Sequence, residues 1–264
     1  MQTKHQGAGK QLAVPCRYYR MLTDPDVPCV ERNFGYVEKE LLIPANQSAI
    51  VLVDVWSEHT VDSHFERTME ITRSRIAPVL AAARQLGVLV IHGPSAEVGD
   101  RFNPREQKPA TAANGPEWPP REFRRREGHY SGFSRLHEPR QVKWMEAKRT
   151  TLDIAEPATP TPEDAIISDG EQMQAILAEH GILHLFYAGF AANICVLNRD
   201  YGIRTMNKRY GYNIILLRDA TTGIEYHDTI DDMTATKLAI REVEAQLGWS
   251  TTTDAFIEAC NQPK

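Results

Sequence analysis

Cys195 and Asp54 are the two residues whose types and settings could do chemistry together. Cys195 closes the segment GFAANIC, directly after an apolar run and where a helix is expected to begin. A thiol at a helix N-terminus meets the positive end of the dipole and free backbone N–H groups, which lower its pKa and favour the nucleophilic thiolate. The small residues Gly189, Ala191 and Ala192 leave room for backbone amides to approach a developing oxyanion. The competing reading is a free cysteine used for packing. Asp54 shifts the balance, because a carboxylate inside the run AIVLVDVW is costly to bury unless it is paired or working. At the end of a neighbouring strand it could take the proton of Cys195; otherwise it caps the loop that follows. His92, in VLVIHG, could also be a base but better suits a hydrogen-bonded core histidine. Cys16, Cys29 and Cys260 lie in irregular or terminal segments and are read as inert.

The elements that must position this pair follow from periodicity. Short apolar runs separated by helical patterns predict a parallel sheet with crossover helices. Strands are expected at 49–56, 88–93, 164–168, 184–190 and 213–220. Helices are expected at 66–86 (with Pro78 setting a start or kink), 171–180 (ended by Gly181), 194–209, 229–247 and 254–259. In open sheets of this kind ligands bind beyond the carboxyl ends of the strands, and Asp54 and the segment leading to Cys195 both fall there.

Two regions break the rhythm. Residues 1–47 read as an irregular extension. Residues 94–163 form a long insertion where a simple α/β unit needs only a few residues and a helix. Between Arg101 and Arg149 it holds twelve Lys/Arg and six Glu, so it is basic within a chain of formal net charge −5. It reads either as a solvated excursion or as a lid or subunit arm that shapes the pocket. The acidic balance gives no general pull toward nucleic acid or anionic membranes. Four scattered cysteines without a CxxC pair argue against a zinc site or a disulfide framework. No stretch approaches 18 apolar residues and the N-terminus has no apolar leader, so a cytoplasmic protein is expected.

The segments AIVLVDVWSEH, VLVIHGPS and LFYAGFAANICVLNRDYGIRTMNKRYGYNIILLRDATTG resemble the isochorismatase-like cysteine hydrolase superfamily, which includes nicotinamidases, N-carbamoylsarcosine amidohydrolases, and ureidoacrylate and biuret hydrolases. The resemblance covers about residues 48–93 and 164–258. It implies a Rossmann-like three-layer sandwich with a mostly parallel sheet, and an aspartate–lysine–cysteine triad in which Asp54 and Cys195 match. It further implies an oxyanion hole from the backbone amides of Ala191 and Cys195, and a cis peptide bond between Phe190 and Ala191. The lysine is a departure: the strand that usually precedes it reads DAIISDGEQMQAIL, with none. Lys143 or Lys148, from the end of the insertion, would have to replace it, or the site works without one. A second departure is that His59, Asp62 and His64 do not form the Asp-x-His pattern of the metal-binding members. They are read as loop or capping residues, and no metal or other cofactor is expected.

The resulting expectation is one domain over 1–264 that hydrolyses a C–N bond of a small amide, ureido or carbamoyl compound through a cysteine thioester. Trp56 and Trp118 are the proposed substrate-binding residues. Three alternatives are a metal-dependent nicotinamidase-like amidase, a vinyl-ether hydrolase (against which Cys195 counts), and a catalytically silent binding or assembly subunit. Neither nucleic acid nor membrane is an expected partner. A homo-oligomer, dimer or tetramer, is expected, with the aromatic anchors of the insertion (Phe102, Trp118, Phe123, Tyr130, Phe133 and Trp144) buried against a second subunit.

Overall fold

The structure is a computed structural model and describes residues 9–105, 118–135 and 138–264. Its centre is an eight-stranded sheet: β1 (Gln11–Arg20), β2 (Gly35–Pro44), β3 (Ser48–Val53), β4 (Leu89–Gly93), β5 (Ala165–Ile166), β6 (His184–Phe190), β7 (Asn213–Thr222) and β8 (Trp249–Thr251). The spatial order is β2-β1-β8-β7-β6-β3-β4-β5. From β8 to β5 every pairing is parallel, and β1 and β2 add an antiparallel edge.

That edge corrects the reading of residues 1–47 as irregular. Leu12, Val14 and Cys16 alternate inward and are buried, while the residues between them are less so, as expected for a strand with one covered face. Pro15 sits in this strand without ending it. The insertion carries short helices of its own among the described residues. Between Asp62 and Leu86 the chain forms α1 (Asp62–Ile71), one π-helical stretch (Thr72–Ile76) and α2 (Ala77–Leu86). Pro78 lies in the first turn of α2, where its missing N–H is tolerated. The remaining helices are α3 (Ala96–Gly99), α4 (Arg121–Arg125), α5 (Pro139–Thr150), α6 (Gly170–His180), α7 (Cys195–Asn198), α8 (Ile203–Lys208), α9 (Thr234–Glu242) and α10 (Thr253–Asn261).

The sheet divides the core in two, which makes the three layers. On one face Ile50, Leu52 and Phe186 pack with Val79 and Leu80 of α2 and Phe256 of α10. On the other, Val51, Val53 and Tyr187 pack with Met173 and Leu177 of α6 and Met206 of α8. Each such fully buried side chain contributes roughly 1.5–3 kcal/mol by transfer from water. β3 is buried along its whole length and takes both neighbours in parallel, so its C-terminal end is held on both sides. This is the end that delivers Asp54. No helix of the described residues is long and apolar enough to cross a membrane.

Candidate active site

Asp54 leaves β3 in a left-handed backbone conformation, φ 50°, which aspartate tolerates better than most residues. Its N–H is fixed to Gly93 O at 2.9 Å. The turn carries the carboxylate away from the sheet axis and into the loop after β6. Its side chain is fully buried. That second loop is equally constrained. Gly189 has φ 113°, and a Cβ there would run into the backbone of Val53, so β6 passes the end of β3 at a distance only glycine allows. The Phe190–Ala191 peptide bond is cis, as the resemblance implied. Ala192 N–H donates to Thr222 O at 3.0 Å, and the Asn193 side chain both donates to Ile224 O and accepts its N–H, each at 3.0 Å. The segment therefore enters α7 in a defined path and sets Cys195 against Asp54.

Arg199 Nε and Nη2 donate to Oδ2 of Asp54 at 3.0 and 2.6 Å. Oδ1 is buried with no N–H or O–H on it. The Cys195 thiol lies against the same carboxylate. Burial pushes the Asp54 carboxyl up, while Arg199, the thiol and Lys148 pull it back. The thiol is also pushed up, to about 12, first by burial and then by the charge of Asp54; Arg199 and the Ala191 N–H oppose the shift. This reverses the expected lowering. A four-residue helix has little dipole to offer, and burial beside a carboxylate outweighs it. The resting residue is a thiol.

A cavity of about 190 Å³ opens on this pair. Its walls are largely apolar and aromatic: Trp56, Phe65, Trp144, Phe190, Ile194 and Ile224, with Glu58, His59, His64 and Lys148 as the polar members. Trp56 is thus placed at the cavity as expected. Trp118 is not: it is 82% exposed and lies on the insertion away from these walls. Trp144 lines the cavity instead, with its ring 5.2 Å from that of Trp56 and 5.1 Å from that of His59. Both Trp144 and Lys148 belong to α5, four residues apart on one helical face, so this part of the insertion walls the cavity of its own chain. Between the two lysines considered, Lys143 is exposed. Lys148 reaches the cavity, with Nζ 5.6 Å from the Trp56 ring and 5.8 Å from Trp144.

His59 and His64 are more than loop or capping residues, since both line the cavity with ring centroids 4.9 Å apart. Val61 N–H donates to His59 Nδ1, so the neutral ring carries its proton on Nε2. His64 Nδ1 donates to Gly223 O, which leaves Nε2 as an acceptor. Burial lowers both, His64 to about 4, so the pair is neutral near pH 7. Asp62 begins α1 on the surface, 3.7 Å from Arg140. No group of three or more His, Cys, Asp or Glu able to hold a metal occurs among the described residues. His92 is a core histidine, bonded to Asp164 at 3.1 Å, and Asp164 also binds Arg84. Arg199 had no place in the sequence reading. Its signal was the need of a buried carboxylate for a partner, and its position four residues after Cys195.

Fold and site together define a Rossmann-like α/β protein with a buried aspartate–cysteine pair at the carboxyl edge of its parallel sheet. The isochorismatase domain model matches residues 48–255, most of the chain, and the chain belongs to that hydrolase family. Among solved structures it is similar to a cysteine hydrolase from Pseudomonas syringae pv. phaseolicola 1448A, at 17% identity and TM-score 0.54, over 83% of this chain and 94% of that one. An isochorismatase family protein from Burkholderia thailandensis matches at 15% identity and TM-score 0.46, over 82% and 97%. The nicotinamidase from Staphylococcus aureus matches at 12% identity and TM-score 0.41, over 76% and 96%. At these identities the likeness is one of fold. No curated protein matches the chain's sequence.

Proposed function

We propose that the protein hydrolyses a C–N bond of a small amide, ureido or carbamoyl compound through a thioester on Cys195. The observation that carries this reading is the Cys195 thiol set against the buried Asp54 carboxylate, whose Oδ1 has no other partner among the described residues, at a small, aromatic-walled cavity. As the sulfur attacks the substrate carbonyl, its proton passes to Asp54 and the S–C bond forms. The oxyanion lies between the backbone N–H groups of Ala191 and Cys195; among the described residues the latter donates to no backbone carbonyl. On collapse the C–N bond breaks and the proton held by Asp54 goes to the departing nitrogen, releasing ammonia or an amine. Water then attacks the thioester, gives a proton to Asp54, and the acid leaves as that proton returns to sulfur.

Among the described residues that line the cavity, Lys148 is the cation without an ion pair, and it stands where it can offset the negative charge of the Asp54 region. Trp56 and Trp144 would hold a flat or apolar substrate group between their rings, and the volume suits a compound of few heavy atoms. The test is a screen for ammonia release over small amides, ureas and carbamoyl amino acids, followed by intact-mass measurement of enzyme quenched in acid during turnover. An acyl adduct mapped to Cys195 supports the reading. Turnover of a C–N substrate with no adduct under conditions where hydrolysis of the thioester is slow contradicts it.

A further inference from the structure

The one-turn helix α7 ends at Arg199, and the manner of its ending aims that residue. Arg199 turns to extended backbone, φ −55° and ψ 154°, instead of continuing the helix toward α8. Gly202 N–H closes back on Arg199 O at 2.7 Å, and a Cβ on Gly202 would stand 2.8 Å from Arg199 N. Asp200 anchors the same turn by accepting the N–H groups of Gly170 and Tyr201 at 2.8 and 3.1 Å. Tyr201 in turn shares its hydroxyl proton between Pro94 O at 2.5 Å and Gly93 O at 3.1 Å, the latter being the carbonyl that receives the N–H of Asp54. The break thus ties Arg199 and Asp54 into one frame. Cys195 and Arg199 are four residues apart, so thiol and guanidinium rise from one face of the same turn.

We propose that Arg199 is the positioning residue of the Asp54–Cys195 pair: it grips Oδ2 with two N–H groups, turns Oδ1 to the sulfur, and keeps the buried carboxylate in its ionised form. The inference rests on Asp54 as base and Cys195 as nucleophile. It gives this chain a cation fixed on the aspartate, where no lysine follows β5. The groups facing Asp54 are Cys195, Arg199 and Tyr201 from the β6–β7 connection and Lys148 from α5. Glu58, His59 and His64 line the same cavity from the β3–α1 side. Tyr201 is held well above its ordinary pKa and the two histidines below theirs, so none of the three carries charge near pH 7. Lys148 acts on Asp54 through its charge alone, without a hydrogen bond to it. Arg199 is therefore the cation in hydrogen-bond contact.

The experiment is the pH dependence of Cys195 alkylation by iodoacetamide in the full chain, read by mass of the labelled peptide. In the wild type the rate should be level above the pKa of Asp54 and fall below it. Arg199→Gln should move that acid limb upward by about 1–3 pH units, the size expected for removal of an opposite charge in contact. Arg199→Lys keeps the charge but loses the planar fork, so the limb should return to within about half a unit while the plateau stays several-fold lower. An Arg199→Gln limb at the wild-type pH overturns the proposal. If that variant does not fold, Arg199→Lys decides alone, since a plateau within twofold of wild type would show that the fork aims nothing. Asp54→Asn separates the two readings. A profile unchanged by Asp54→Asn sinks Asp54 as base, whereas a limb that Asp54→Asn abolishes and the Arg199 variants leave in place sinks only the role of Arg199.

Discussion

Replacing Asp54 by asparagine should change the shape of the thiol's pH profile, and the direction follows from the charges around the sulfur. The thiol is raised from 9.0 to about 12, with burial the largest cause and the charge of Asp54 the second. Asparagine keeps the burial and removes the charge. It also frees Arg199, whose cation pulls the thiol down. A unit charge near 4 Å at an effective dielectric of 20 is worth about 4 kcal/mol, or about 3 pH units, as an upper bound. Because burial is the larger cause, a drop of about 1–2 units is the expected share. The thiol of the variant should therefore titrate near 10–11, below wild type, even though its catalytic base is gone. In the wild type the proton can pass within the Asp54–Cys195 pair, so alkylation should be level across neutral pH. In Asp54→Asn it should climb about tenfold per pH unit up to the lowered pKa, with no plateau. Turnover should fall about 10²–10⁴-fold, the usual contribution of a positioned base. Stopped alkylation series from pH 5 to 12 with peptide mass readout would settle it. A thiol pKa that rises in the variant, or a plateau that survives, would refute the reasoning.

Lys148→Met keeps the length of the side chain and removes its charge; kcat/KM should fall about tenfold or more while the melting temperature moves little, since the ammonium makes no ion pair among the described residues. Calorimetry and steady-state kinetics on the same preparation check both halves. Gly189→Ala should destabilise by about 3 kcal/mol or more, because the new Cβ meets the Val53 backbone and φ is 113°; chemical denaturation midpoints measure it. Asp164→Asn breaks the buried Asp164 contacts with His92 and Arg84 and should lose about 3 kcal/mol near neutral pH. The Asp164 carboxyl is held well below its ordinary range by His92, Arg84 and the Thr161 N–H, against burial. Its stabilisation is thus complete above the unfolded-state pKa near 4 and lost as pH falls toward the folded value. The gap between wild type and variant should narrow from about pH 5 downward, and a gap that widens in acid would reverse the sign of the argument.

The parallel core was legible because its strands are buried on both faces and read as unbroken apolar runs: 184–190 has the expected limits, and β3 and β4 differ by only a few residues. β1 and β2 were not, since an edge hairpin alternates weakly and Pro15 falls inside it. Asp54 and Cys195 stood out as polar groups in apolar surroundings. The sign of the thiol shift did not, because it depends on burial and on a helix only one turn long. Arg199 was hidden for a related reason: nothing local in VLNRDYG marks the break that points it inward. Lys148 emerged as the cavity's lysine only once α5 had a place, whereas Trp118 was chosen by residue type and lies in solvent.

The central claim is that Cys195 forms and breaks the bond to substrate. Once an amide or carbamoyl substrate has been found, the turnover of Cys195→Ser on it tests that claim most directly, because the change keeps the size of the group and removes its nucleophilicity. The variant should fold and show a kcat down by more than about a thousandfold. A variant retaining a tenth of wild-type turnover would show that Cys195 packs the loop after β6 and does nothing more.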